Sequence, residues 1–306
     1  MFCYIIGLAI ALYWVKRYIS WKNCDLRAAF EGKVAFITGG SSGIGEELTK
    51  ELVKLGAKKV VIASRNVTEM ERVKRECAHP DRVDFVQIDL SKPKEAMDKA
   101  IDYINKSELK STGVDFVFNN AGLVMKEELI NTDFQYCEYM INTNLMSHIA
   151  ITKAFLPFMV ENKRGHLVNT NSIAGMIGTR SLYSASKFGM TGFFKALRSE
   201  VKQHGINVTN IYPEFVKTNI SKNALTGQGQ QYGKTDDNIA SGVDVDWAAN
   251  VILKGVALKE HEVIVGRPMF HILPYVCALS STISSRVTQM AYNKYKKDQE
   301  KSQKKE

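Results

Sequence analysis

From Lys33 onward, short runs of β-branched residues alternate with stretches of helical periodicity, and this alternation leaves few folds open. Strands are expected at 34–38, 60–63, 83–88, 114–118, 166–170, 208–211 and 263–265. Helices are expected at 44–55, 68–76, 94–105, 134–160, 182–203 and 245–258. Strands that are apolar on both faces and joined by crossover helices predict an α/β fold. It is a doubly wound parallel sheet of seven strands with helices on both faces. No repeat and no long linker interrupts residues 33–265, which read as one domain. The one polar, glycine-rich stretch, 221–237, follows the sixth strand, where a mobile lid over a substrate is expected.

The two ends differ from this body. With 306 residues, 45% hydrophobic and 24% charged, the chain is neither disordered nor a multi-span transporter. Most of the net charge of +9 sits at the termini, so the nearly balanced body gives no reason to bind nucleic acid. Residues 1–15 carry no charge, and as a helix they would rise about 22 Å. Lys16 and Arg17 can snorkel while Tyr18, Ile19 and Trp21 lengthen the apolar reach, so 1–21 is expected to be a retained membrane anchor. A cleaved signal (Ala9 and Ala11) and a monotopic or core helix are the alternatives. The flanking charges all follow the segment, which places the body on the cytosolic side, with the endoplasmic reticulum as the expected membrane. The sequons at Asn66, Asn105, Asn207 and Asn219 are then chance matches. Residues 266–306 form an apolar segment and a basic tail. The apolar part, 269–279, contains Pro274 and suits a helix on a membrane, a helix over a substrate pocket, or a docked core helix. The closing lysines suit a solvated tail that touches anionic lipid. Five widely spaced cysteines form no metal signature and no disulfide framework, which favours a reducing compartment.

The first strand runs straight into Gly39-Gly40-Ser41-Ser42-Gly43-Ile44-Gly45 and then a helix. Glycines there let backbone N–H groups approach a pyrophosphate, and the helix N-terminus favours the anion. The sheet is therefore of Rossmann type, although the spacing is G-x-x-x-G-x-G rather than the general dinucleotide fingerprint. At the end of the second strand stand Ser64, Arg65 and Asn66, where an acidic residue would select a free ribose. A guanidinium pairs bidentately with a phosphate, so NADP(H) is the expected cofactor.

Thr38-Gly39 through Gly45, Asn119-Asn120-Ala121-Gly122, Asn144, Ser172 and Tyr183-Ser-Ala-Ser-Lys187 occur in this order. Together they resemble the short-chain dehydrogenases/reductases over residues 33–265. With the N-terminal segment and Glu71-Arg-Val-Lys-Arg-Glu-Cys77, they are similar to the membrane-anchored branch of seven-type and hydroxysteroid dehydrogenases. The resemblance implies that Asp89, with Leu90 after it, meets the adenine. It implies that Asn120, Ala121 and Gly122 lie beside the adenosine ribose. It also implies that Val216 and Thr218 hold the nicotinamide carboxamide and a nearby phosphate. Asn144, Ser172, Tyr183 and Lys187 would be the catalytic set, Lys187 also binding the nicotinamide ribose and Asn144 holding a relay water behind it. Relatives often pair through their two long helices, so a homodimer or homotetramer is expected.

Tyr183 and Lys187 stand at i, i+4 on a predicted helix and share a face. A nearby ammonium is expected to lower the phenol from its ordinary value near 10 and make Tyr183 a usable acid or base. Ser172 would hydrogen-bond the same substrate oxygen. The expected activity is hydride transfer between NADP(H) and a carbonyl or secondary alcohol of a lipophilic substrate, such as a steroid or retinoid. A 3-ketosphinganine-type reductase is an alternative, and a non-catalytic NADP-binding membrane scaffold is one of another class. Two departures from the family pattern bear on this. Ser172 and Tyr183 are closer in sequence than in many relatives, and Glu214 follows Pro213 where glycine is usual. Either the turn differs there, or Glu214 faces the substrate channel.

Overall fold

The computed structural model describes residues 15–303, with side chains to 297. Seven strands form one sheet: β1 (Val34–Thr38), β2 (Lys59–Ser64), β3 (Val83–Gln87), β4 (Phe116–Asn119), β5 (Gly165–Thr170), β6 (Ile206–Pro213) and β7 (Glu262–Val265). The spatial order is β3-β2-β1-β4-β5-β6-β7, and every pairing is parallel. Strand order reverses between β1 and β4, so a crevice opens there beyond the carboxyl ends of the strands.

β1 shows why the sheet must be covered on both sides. All five of its residues are buried. Ala35 and Ile37 face one core, with Leu48, Leu52, Val73 and Ile252. Val34 and Phe36 face the other, with Ala100, Phe155, Met190 and Phe194. Helices Gly43–Lys54, Val67–Glu76 and Val245–Ala257 therefore cover the first face. Helices Pro93–Lys106, Ser147–Glu161 and Ser181–Val201 cover the second.

The expected single helix over 134–160 is not continuous. It divides into Phe134–Ile141, a π-helical turn at Asn142–Met146, and Ser147–Glu161. The wider turn swings Asn144 inward, where both ends of its amide bond the backbone of Leu123. Oδ1 accepts from the Leu123 N–H at 2.8 Å, and Nδ2 donates to the Leu123 carbonyl at 2.9 Å. β6 is longer than expected at both ends, because Ile206 and Asn207 pair with Gly165 and His166, and Tyr212 and Pro213 pair with Ile264 and Val265.

The expected anchor falls mainly on residues 1–14, outside the described residues. Residues 15–22 are helical and rest on the loop before β7, through Arg17 and Trp21 to the Glu260 carboxylate, each at 3.3 Å. Among the described residues no helix is long and apolar enough to cross a membrane. The expected tail is instead a helix, Ser281–Gln303, following helix Pro268–Leu279. Cys24, Cys77, Cys137 and Cys277 are free.

Candidate active site

A continuous cavity of about 1040 Å³ opens at the carboxyl ends of the central strands. One wall is the turn after β1. Gly39 adopts φ +66°, and a Cβ there would lie 2.9 Å from the Ala121 Cα. At Gly45 a Cβ would meet the Gly39 carbonyl oxygen at 2.3 Å and Asn120 Nδ2 at 2.5 Å. These contacts make the turn a shallow cradle with room for a pyrophosphate against the backbone.

The turn after β4 is locked to it. The Thr38 hydroxyl accepts from the N–H groups of Asn120 and Ala121 at 2.9 and 3.1 Å, and Asn120 Nδ2 donates to the Thr38 carbonyl at 3.2 Å. The Thr170 hydroxyl bonds Asn120 Oδ1 at 3.1 Å, and His148 Nε2 bonds the Ala121 carbonyl at 2.8 Å. Across the cradle, a Cβ on Gly43 would sit 3.2 Å from the Thr218 methyl carbon. Val216 lies beside it, bridged to Val243.

At the end nearest β2 and β3, the cavity is lined by Ser64, Arg65, Asp89 and Leu90. Ser64 Oγ bonds Ser41 Oγ at 2.8 Å. The Arg65 guanidinium donates to the Tyr139 hydroxyl at 2.6 Å. Asp89 accepts from the N–H and hydroxyl of Ser91, which fixes its carboxylate at the rim. Ser41, Ser42 and Ile44 also line the space, but Gly45 and Asn66 do not. Gly45 supports the turn from behind, and Asn66 caps helix Val67–Glu76 by accepting from the Glu69 N–H at 3.2 Å.

On the cavity floor Tyr183, Ser172 and Lys187 come together. Ser172 Oγ accepts from the Ala174 N–H at 3.1 Å, which orients it, and it is also the hydrogen-bonding neighbour of the Tyr183 phenol. Lys187, 3% exposed, donates to the Thr170 carbonyl at 3.1 Å, with its Nζ 5.9 Å from the Tyr183 ring centre. A Cβ on Gly122 would fill the space 3.6 Å from Lys187 Nζ and 3.5 Å from Asn144 Oδ1. Asn144 is fully buried behind this point and does not line the cavity.

Burial governs both titrating groups. It pushes the Lys187 ammonium down to about 7. It pushes the Tyr183 phenol above its usual value, against the opposing pulls of the Ser172 hydrogen bond and the Arg180 charge. The expected lowering of Tyr183 by the neighbouring ammonium is therefore corrected. Desolvation outweighs it, and the positive charge acting on the phenol is that of Arg180.

The far side of the cavity is a roof. Glu214 turns its carboxylate to Arg267, accepting from its N–H at 2.9 Å, from Nε at 3.1 Å and from the terminal guanidinium nitrogen at 3.0 Å. Of the two readings of Glu214, the second fits: it lines the cavity, and it ties the end of β6 to the head of helix Pro268–Leu279. This helix supplies Met269, Phe270 and Leu273 to the cavity. The stretch 221–237 crosses the mouth, held by backbone bonds between Leu225 and both Val124 and Lys126 and by the Lys126–Asp236 ion pair. Tyr139, Arg180 and Arg267 were not legible as site residues, each being a lone polar residue with no spacing signal, whereas Glu214 stood out where glycine is usual, its partner not being foreseen.

The family model for short chain dehydrogenase matches residues 33–229. Dehydrogenase/reductase SDR family member 7B of Xenopus tropicalis is 34% identical over 266 residues, covering 84% of this chain and 84% of that protein. A metagenomic short-chain oxidoreductase solved in complex with NADP aligns over 78% of this chain and 98% of that one, with a TM-score of 0.60 and 25% identity. A short chain dehydrogenase/reductase from Burkholderia phymatum, solved in complex with NAD, aligns over 80% and 92%, with a TM-score of 0.68 and 21% identity. The chain belongs to the short-chain dehydrogenase/reductase family, as an oxidoreductase acting on CH–OH groups.

Proposed function

We propose that this protein transfers a hydride between NADP(H) and a carbonyl or secondary alcohol of a lipophilic substrate, through Tyr183, Lys187, Ser172 and Asn144. The observation that carries the reading is the meeting of the Tyr183 phenol, the Ser172 hydroxyl and the Lys187 ammonium on the floor of a cavity whose other end is the glycine cradle.

The residues fit a nicotinamide dinucleotide: backbone and glycine at the pyrophosphate, hydroxyl and guanidinium at the adenosine ribose. When bound, the nicotinamide supplies or accepts the hydride. The protein residues do the rest. Ser172, oriented by the Ala174 N–H, donates to the substrate oxygen and fixes its direction. Burial keeps the Tyr183 phenol protonated, which suits it to give its proton to that oxygen as negative charge develops. Lys187 stands between Tyr183 and the Gly122 gap, where it can bind the nicotinamide ribose and restore the proton. Asn144 holds the Leu123 backbone and so keeps that gap open. Tyr183→Phe should lower NADPH-dependent carbonyl reduction by about 10²–10⁴-fold while NADPH affinity stays near wild type. Unaltered turnover would remove the mechanism.

NADP(H) is favoured over NAD(H) by Arg65 and Ser64 and by the absence of an acidic side chain at the end of β2. Arg65→Asp should shift preference towards NADH, and an unchanged cofactor ratio would remove the assignment. The uncharged residues 1–15 and the exposed Val15, Tyr18 and Ile19 support a membrane anchor with the catalytic domain cytosolic. A glycosidase-sensitive mobility shift from Asn66 or Asn207 would overturn that orientation.

A further inference from the structure

We propose that Arg180 anchors a carboxylate of the substrate, so that the cavity takes an amphipathic oxo acid with its charged end beside the catalytic tyrosine. The inference rests on the reductase reading above and narrows its substrate class.

Arg180 precedes helix Ser181–Val201 as its N-cap residue, one helical turn before Tyr183, and its side chain lines the cavity. A guanidinium offers five N–H donors in a planar fork. Here one terminal nitrogen reaches the Met125 carbonyl at 3.3 Å, and the plane lies over the Tyr295 ring at 5.2 Å. Tyr183, Tyr232 and Tyr295 surround it. Among the described residues no carboxylate pairs with it. The neighbouring cation, Lys126, shows the contrast: it is 5% exposed and ion-paired with Asp236. Arg180 is half-buried at the cavity wall, and a fork with free donors facing a cavity matches the two oxygens of a carboxylate. Burial pulls the Arg180 pKa down, and the surrounding tyrosines partly restore it, as expected of a cation awaiting its counter-charge. The cavity lining also includes the apolar Ile177, Met269, Phe270, Leu273 and Met290, with Glu127, Glu128 and Lys294 among the charged residues. A charged end and a long apolar remainder would both be accommodated.

The test uses the full chain with NADPH and a series of medium-chain oxo acids differing in oxo position, each paired with its methyl ester. At least one acid should exceed its ester tenfold in kcat/KM. Arg180→Gln should reduce that acid-to-ester ratio at least tenfold, mainly through KM for the acid, and Arg180→Lys should retain part of it. Separately, binding of decanoate, followed by protein fluorescence, should weaken tenfold in Arg180→Gln with NADPH affinity unaltered. Equal use of acid and ester by the unsubstituted protein would overturn the proposal. So would a fall in Arg180→Gln that leaves the ratio unchanged, which would make Arg180 a support for Tyr183 alone. Decanoate binding that depends on Arg180, with no reduction of any acid or ester, would uphold the anion site and remove the reductase reading instead.

Discussion

The two walls of the cavity are built from different material. The nucleotide wall is backbone packed against backbone, with Gly39, Gly45, Thr38 and Asn120 interlocked at the ends of β1 and β4. The roof is side chain against side chain. Glu214 on Arg267 and the apolar residues of helix Pro268–Leu279 close the space while Met269, Ile272 and Leu279 remain 58%, 64% and 88% exposed. A wall of backbone tolerates almost no change, because the ligand part it meets is always the same. A roof of side chains can be rebuilt residue by residue, and that is where one member of the family can differ from another in substrate.

Gly45→Ala is the sharpest way to break this contrast. Its methyl would fall 2.3 Å from a carbonyl oxygen, and a loss of about 3 kcal/mol is expected in urea unfolding, with NADPH binding abolished. Binding close to wild type would show the cradle to be as pliable as the roof. The interior also sets an acid limit. His148 and His166 are buried, and burial holds both at about 3 against an ordinary value of 6.5. Between those values the unfolded chain binds more protons, so stability falls as pH drops below 6.5, by about 2 kcal/mol for each histidine at pH 5. Unfolding free energies that are level from pH 7 to 5 would contradict this. On the roof, Glu214→Ala should lower stability by about 1 kcal/mol, because Arg267 is 53% exposed and water can take the place of its partner. Its larger effect should be a higher KM for substrate with NADPH affinity unchanged. The reverse pattern would place Glu214 with the cradle. Ile272→Ser, at an exposed position, should stay within about 0.5 kcal/mol of wild type.

Sequence pattern reached the cradle in detail and the roof only in outline, as a helix over a pocket at 269–279 and a lid at 221–237, for a physical reason. β1 was expected at 34–38 and is found there, because a strand buried on both faces is an unbroken apolar run ending at a glycine turn. Tyr183 and Lys187 were readable because they stand in the order of motifs that resembles the family, the i, i+4 spacing adding only that they share a helix face. Arg180 was not, since what matters about it is the lack of a carboxylate near it in space, and no spacing records that. The π turn was hidden for a similar reason. Residues 142–146 have ordinary helical composition, and the widening follows from the Asn144 contacts with Leu123, a residue on another segment. The weight of Lys187 on Tyr183 was misjudged because sequence gives the neighbours of a charge and not how much water surrounds it.

That widened turn also fixes where this chain can lose a residue. Each residue removed from a helix rotates everything beyond it by about 100°. Within 142–146, however, the wider turn already holds about one residue more than an α-helix needs, so a single deletion there would restore α-helical winding and leave Ile151, Phe155 and Met159 in the core they fill, at the cost of the Asn144 contacts with Leu123. The connection between Ser172 and Tyr183 has no such slack, since Ile173, Ala174 and Ile177 are buried in it and Ile177 and Arg180 line the cavity. A lost residue is taken up by the winding in one place and shifts the cavity wall in the other, although both segments serve the same site.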